Sequence, residues 1–310
     1  MAIIEAIPNV SEGRHDDVLH ALVQAVELVD GASLLDHSAD PSHNRSVFTI
    51  VGDADSIMTA VLNLYEVAVS RIDLRTHEGE HPRIGAIDVV PFVPIRDASM
   101  SDCVALARRV GEAVAERFAV PVFLYGDAAT RPERHALESV RSGGFEELAQ
   151  RMQSPAGTPD FGPARPHPTA GASAIGARGP LIAFNVNLAT NDLDAAWAIA
   201  RAIRERDGGL PCVKAIGVRL DHREIVQVSI NLTDYTRTPL HQVVAAVERE
   251  AAAREIEVVE SEIIGLIPLD VVLAAAAFSL RLRHFDRRQV LENRLNFEEP
   301  RLPYPTGGAH

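Results

Sequence analysis

What this chain lacks excludes most of the classes it could belong to. No uninterrupted apolar stretch approaches the roughly 18 residues of a membrane span. The opening MAIIEAIPNVSEGR has neither the basic region nor the cleavage site of a secretory signal, so the expected location is the cytoplasm. Cysteine is scarce. Cys103 and Cys212 sit in unrelated apolar contexts without CxxC or metal-ligand spacing, which rules out a disulfide framework and reads them as buried hydrophobes. Positive charge is in deficit, 30 Lys and Arg against 43 Asp and Glu for a net charge of −13. That balance argues against nucleic acid and against anionic membrane surfaces. The glycine spacing of a dinucleotide site and the Lys-Ser/Thr of a P-loop are also missing.

What is present suits an ordinary soluble protein. With 310 residues, 46% of them hydrophobic, the chain can bury a large core and is long enough for two modest domains. An anionic substrate would have to be attracted locally. Arg45, Arg83, Arg178 and Lys214, each near a motif, are the candidates.

Hydrophobic period and flanking breakers predict, in the first half, a strand over 3–7, a helix over 16–29, strands over 33–36 and 46–51, a helix over 55–70 and a strand over 86–93. A helix over 100–118 and a strand over 121–125 follow. The second half repeats the order: strand 181–187, helix 192–206, strands 214–220 and 224–231 about an Asp221-His222-Arg223 hairpin, helix 239–254 and strand 257–264. Each half reads βαββαβ. The expected fold class is α+β, with two tandem ferredoxin-like (split βαβ) subdomains.

Between the halves lies SPAGTPDFGPARPHPTAGASAIGARGP, residues 154–180, rich in Pro and Gly and without a helix or strand period. It reads either as a linker or as a functional loop in which Gly171, Gly176 and Gly179 let backbone approach a flat ligand. An alanine-rich helix is expected after Pro268, and the residues from about Asn296 carry too few core-forming side chains to hold a fixed shape.

Chemistry concentrates in RTHEGEHPRIGAIDVVPF, residues 75–92. His77-Glu78-Gly79-Glu80-His81 satisfies the H-E-x-x-H pattern of zinc peptidases, whose two histidines must lie one turn apart on a helix. Gly79 inside the motif, Pro82 after it and a strand pattern beyond oppose helical backbone. What remains is an extended segment delivering titratable side chains to a strand edge, with His81 as the candidate acid/base or, alternatively, as a satisfied structural histidine.

Taken in order, EAIPNVSEG (5–13), NRSVFTIVG (44–52), HEGEHPRIGAIDVVPFVP (77–94), VPVFLYGDAA (120–129), PDFGP (159–163), GARGPLIAFNVNL (176–188), QVSINLTDYTRTPLH (227–241) and SEIIGLIPLDVV (261–272) resemble the formiminotransferase family over nearly the whole chain. The match is to the formiminotransferase part of the animal enzymes, so a formiminotransferase domain without the fused cyclodeaminase domain is expected. The resemblance implies an N-terminal subdomain over 1–178, a C-terminal one over 179–296, a flexible tail over 297–310, and a ligand cleft between the subdomains. It implies a catalytic His in GEHPR, which is His81. It also implies folate contacts in the loop after PDF, here Gly162, Pro163, Ala164, Arg165, Pro166, His167, Pro168, Thr169, Ala170 and Gly171, and at a glycine before the second hairpin, Gly208. Two departures change the aromatic surface open to a substrate: the family's Cys-Val-Pro-Asn-Phe is Ala6-Ile7-Pro8-Asn9-Val10, and a Trp-Tyr pair is Val218-Arg219.

The activity so implied is transfer of the formimino group of N-formimino-L-glutamate to N5 of tetrahydrofolate, a co-substrate, without a metal. A homodimer is compatible with it. His81 would serve as general acid/base. Arg83 and Arg45 would take the substrate carboxylates, since a guanidinium fork matches a carboxylate. Asp36 or Asp40 would orient an imidazole, or simply end a strand. The rivals are a related folate enzyme acting on 5-formyl-tetrahydrofolate, a zinc peptidase, and a non-catalytic binding module.

Overall fold

The computed structural model describes residues 2–41, 43–79, 82–220 and 223–296, with side chains to residue 294. Two expectations fall outside the described residues, Asp221-His222 of the second hairpin and the tail from 297, and so does the candidate His81. The chain is mixed α and β. It divides into two compact units, one running to Leu181 and including Ile264–Leu266, the other made of Ile182–Ile263 and the residues from Ile267 onward.

The first unit opens with a strand interrupted once, β1 (Ile3–Ala6) and β2 (Asn9–Val10). Pro8 has no N–H to give, yet its carbonyl accepts from Phe48 N (3.0 Å), and Ile7 N donates to Pro91 O (3.1 Å), so pairing to both neighbours continues across the break. Helix α1 (Asp16–Glu27) leads to β3 (Ala32–Asp40) and β4 (Arg45–Gly52), which pair antiparallel. Helix α2 (Ala54–Arg71) starts where the Asp53 carboxylate accepts the N–H groups of Asp55 and Ser56. Strand β5 (Ile87–Arg96) follows, then α3 (Met100–Phe118), opened by a Ser99–Asp102 capping box and closed by Ala119 in the left-handed region. After β6 (Val122–Gly126) come two short helices, α4 (Leu137–Val140) and α5 (Gly144–Arg151).

The segment expected to be without strand contains one. Residues Ser173–Ala177 form β7, parallel to β5 on one side and β6 on the other, and every residue of it is buried. The sheet runs β3-β4-β1/β2-β5-β7-β6. SAIGA has one β-branched residue and two alanines, so its strand state comes from its neighbours rather than from propensity. Two of the three glycines, Gly171 and Gly176, sit where backbone packs too closely for a side chain, whereas a Cβ on Gly179 would meet open space. A Cβ on Gly176 would stand 2.4 Å from the Tyr125 carbonyl oxygen, and one on Gly171, whose φ is +67°, would stand 2.1 Å from the Ile84 carbonyl oxygen.

Burial differs along this sheet. Strands β1 and β3 alternate, whereas β6 and β7 are buried throughout and β5 over its first seven residues. One face packs on α1, α2 and α3 through Leu22, Ile57, Leu64, Leu106 and Val110. The other, at the parallel end, is covered by a second cluster in which Val89, Phe123 and Ala174 meet Val140, Leu148 and Met152. Helix α5 was not anticipated from the sequence, although Phe145, Leu148 and Met152 recur at the spacing of one helical face.

The second unit is smaller. Strands β8 (Ile182–Leu188), β9 (Val213–Leu220), β10 (Ile225–Leu232) and β11 (Val258–Ile264) form a sheet in the order β11-β8-β10-β9. Helices α6 (Leu193–Ile203) and α7 (Leu240–Ala252) cover one face through Ile199, Ile203, Val243 and Val247. Helix α8 (Leu269–Ser279) is the alanine-rich helix expected after Pro268, and α9 (Leu291–Asn296) follows it. No helix among the described residues is long and apolar enough to cross a membrane.

A methyl group at Gly176 has nowhere to go but into the β6 backbone. Gly176→Ala is expected to lower the unfolding free energy by about 1–3 kcal/mol, the usual cost of overpacking a core, measured by urea denaturation. A loss under about 0.5 kcal/mol, the scale of neutral surface changes, would mean that β6 and β7 can separate freely.

Candidate functional site

The histidine-rich segment leaves α2 as irregular backbone, and His77, Glu78 and Gly79 lie outside any helix. A zinc motif needing both histidines on one helical face is therefore not formed. Asn44, buried and with φ at 47°, holds the segment instead. Its carbonyl oxygen accepts from His77 Nε2 (2.9 Å), its Nδ2 donates to Glu78 O (3.0 Å), and its Oδ1 accepts from Gly13 N (3.0 Å). Gly79 fits because a Cβ there would meet His43 O at 2.3 Å. Three separate motifs, NVSEG, NRS and HEG, thus meet at one side chain.

Beside this junction is an open pocket of about 520 Å³ lined by Leu74, Arg75, His77, Arg83, Phe145, Glu146, Ala149, Pro166, His167 and Pro168. It unites the HEGEHPR segment, α5 and the loop after PDF. His77 must carry its proton on Nε2 to donate to the Asn44 carbonyl, which leaves the buried Nδ1 as an acceptor without a partner among the described residues. Burial, with the Arg83 charge added, pushes its pKa down. His167 has the opposite arrangement. Its Nδ1 accepts from Ala170 N (3.0 Å), which places its proton on Nε2, and burial again lowers its pKa. The nitrogen left unengaged is thus an acceptor in His77, where it is buried, and a donor in His167. Arg83 supplies positive charge, its Nη2 donating to His77 O (2.9 Å) and Glu146 Oε1 (3.0 Å) while its buried Nε has no partner among the described residues.

At the start of β5 is a buried carboxylate. Asp88 is fully inaccessible and receives Arg45 Nη1 (2.9 Å) and Arg141 Nη1 (3.1 Å) on Oδ2 and Ile84 N (2.8 Å) on Oδ1. Burial alone would push its pKa up, but the two guanidinium groups and the Ile84 N–H hold it below the ordinary carboxylate range. Arg141 also donates to Pro82 O (3.3 Å). An Asp among the apolar residues of IGAIDVVPF was a readable signal of such a centre. Arg141 and Asn44 gave none.

The structure sorts the residues expected to bind substrate. Arg45, expected at a substrate carboxylate, has its fork occupied by Asp88 and by Asn9 Oδ1, which accepts from Nε (3.3 Å) and Nη2 (2.8 Å). Asp40 is an exposed strand end whose Oδ1 accepts from His43 N (3.0 Å), and Asp36 pairs with Thr49 in the β3–β4 ladder; neither lines the pocket. Of the loop Gly162–Gly171, only Pro166, His167 and Pro168 do so. Gly162, Ala164 and Arg165 are exposed, Pro163 and Thr169 half-buried, and Ala170 and Gly171 buried in the turn that pairs His167 with Gly171. Gly208, with φ at +90°, belongs to the second unit.

The start of the loop is pinned by protein contacts. Arg134 is buried over the Phe123 ring and donates to Asp160 (2.6 Å) and to Ala156 O (2.9 Å), and Asp160 accepts from Leu124 N (2.7 Å).

The two neutral imidazoles bear on stability. Both titrate below the ordinary 6.5 in the folded chain, so at intermediate pH the unfolded chain binds more protons, and stability falls as pH drops below about 6.5. Urea unfolding between about pH 7 and pH 5 should show that fall. His77→Asn/His167→Asn should flatten it. A slope unchanged in the double variant would assign the acid loss to other groups.

Comparison with known proteins agrees with this organisation. The model of the formiminotransferase domain, N-terminal subdomain, matches residues 3–178, and that of the formiminotransferase domain matches residues 183–295. Glutamate formimidoyltransferase of Streptococcus pyogenes serotype M1 is 45% identical over 294 residues, covering 94% of this chain and 98% of that protein. The protein of the same name from Thermoplasma acidophilum is 43% identical over 297 residues, with 95% and 98% covered. Formimidoyltransferase-cyclodeaminase of Rattus norvegicus is 42% identical over 282 residues, covering 89% of this chain but 52% of that protein, so the chain corresponds to about half of the bifunctional enzyme. With both models matched in order and such identity over nearly its full length, this chain belongs to the formiminotransferase family.

Proposed function

We propose that this protein is a glutamate formimidoyltransferase, moving the formimino group of N-formimino-L-glutamate to N5 of tetrahydrofolate. The observation that carries the reading is the near end-to-end likeness to two proteins of that name. Family membership does not favour the peptidase or the non-catalytic module, and the non-helical backbone at His77 argues separately against the peptidase. The two units are read as split βαβ subdomains. In support, β11-β8-β10-β9 and β5-β1/β2-β4-β3 each place the fourth strand beside the first and the third between the first and second. The functional boundary is put near residue 180.

In the reaction, N5 of the folate attacks the amidine carbon to give a tetrahedral intermediate. The intermediate collapses by breaking the carbon–nitrogen bond to glutamate, whose nitrogen leaves only if it receives a proton, while N5 must lose one. His81 is assigned both transfers, a role worth about 10²–10⁴-fold. Arg83 is assigned a substrate carboxylate in preference to Arg45. It faces the pocket, and its present partner Glu146 is an exposed side chain. Pro166, His167 and Pro168 are assigned to the folate, since they bring an apolar wall and a donor to the same pocket. Holding two substrates in register supplies much of the remaining acceleration.

The purified protein, without added metal, should convert N-formimino-L-glutamate and tetrahydrofolate to glutamate and 5-formimino-tetrahydrofolate. His81→Asn should lower kcat by roughly 10²–10⁴ with both KM values nearly unchanged. His77→Asn should cost far less. Equal collapse in both variants, with stoichiometric zinc lost and activity abolished by a chelator, would overturn the proton-transfer assignment, and turnover of 5-formyl-tetrahydrofolate alone would move the protein to the related folate activity.

A further inference from the structure

Asp88 is an expensive residue for a buried strand position. Burying a carboxylate with two guanidinium groups loses the hydration of three charges, and a well-packed apolar side chain is often as stable or more so. The pairing of β5 does not depend on it, because the ladders to β1/β2 and β7 hold that strand. What an apolar side chain could not do is grip backbone atoms. Asp88 Oδ1 accepts from Ile84 N, and through Arg141 its other oxygen is tied to Pro82 O. These two points bracket Arg83, which lines the pocket, and Pro82 directly follows His81 in the chain.

The other end of the segment is held independently. Asn44 takes His77 and Glu78, and Arg83 Nη2 donates to His77 O across the loop. Each grip uses a hydrogen bond to main chain. Together they fix both described flanks of the Glu80-His81 pair without using the side chain of either.

We propose that Asp88, acting with Arg141, is a positioning residue for formimino transfer, fixing the backbone of Pro82–Ile84 and with it the direction in which the chain leaves His81. The inference rests on the assignment of His81 made above. Neither Asp88 nor Arg141 lines the pocket, so each works through the segment it holds.

The test is a double-mutant cycle in the full chain. Asp88→Asn keeps the shape and an acceptor for Ile84 N but removes the charge that holds Arg141. It should lower kcat by about 10–100-fold, the scale of a misplacement of about 1 Å, and change each KM by less than about threefold. In the His81→Asn background the same substitution should cost less than about threefold, because residues that act as a unit are not additive. Full loss in both backgrounds, or a wild-type kcat in Asp88→Asn, would overturn the proposal. Should Asp88→Asn not fold, Arg141→Met carries the same cycle, since it removes the donor to Pro82 O while Arg45 still pairs Asp88. A fully active His81→Asn would overturn the reading on which the inference stands, a result distinct from additivity.

Discussion

The buried charge of Asp88 is the constraint on which the rest of the first unit's architecture turns. A carboxylate out of water costs several kcal/mol unless it is paired and hydrogen-bonded, and three different parts of the chain supply what it needs. Arg45 comes from the start of β4, Arg141 from the end of α4, and the Ile84 N–H from the segment entering β5. Satisfying one side chain therefore docks the β3–β4 hairpin, the helical cover of the parallel end and the histidine-rich segment to a common point.

That docking explains why the sheet changes character along its width. At the β3 end one face is open, and alternating burial suffices. From β5 onward both faces are covered, so β5, β6 and β7 are apolar nearly throughout, and helix-bearing α4 and α5 become part of the core that backs the pocket. The pocket wall of Phe145, Glu146 and Ala149 exists because Val140, Leu148 and Met152 bury the other side of the same segment. Packing and site are two faces of one helix.

The sequence made the regular elements legible because each carried its own period and punctuation. Helix α2 begins at Asp53, α6 at its Asp192 cap, and both βαββαβ runs fall where the apolar pattern put them. Three things were not legible. Strand β7 has the composition of a linker and is a strand because β5 and β6 present two unpaired edges. Strand β3 extends to Asp40 through DHSAD, polar residues that suit an exposed edge but carry no strand signal. The third is the sorting of the arginines. Arg45 and Arg83 look alike in sequence, and only the position of Asp88 distinguishes them. The motif segments NVSEG, NRS and HEG are far apart in the chain and adjacent at Asn44.

Magnitudes decide which arginine can receive an anion. Arg45 and Asp88 are 10% and 0% exposed, so releasing Arg45 to a substrate would take from a buried carboxylate one of its two guanidinium partners, and breaking a buried pair costs up to about 3–5 kcal/mol. No single substrate carboxylate repays that readily. Arg83 is also sheltered, at 12%, but its partner Glu146 is 64% exposed, and a pair of that kind contributes only about 0–1 kcal/mol. Glu146 can swing into water and be rehydrated while an incoming carboxylate takes its place on the guanidinium. In a chain of net charge −13, where the long-range field repels an anion, the proposed role of Arg83 at a substrate carboxylate rests on this exchangeable partner. The same geometry thus makes one arginine part of the frame and leaves the other free to exchange its partner.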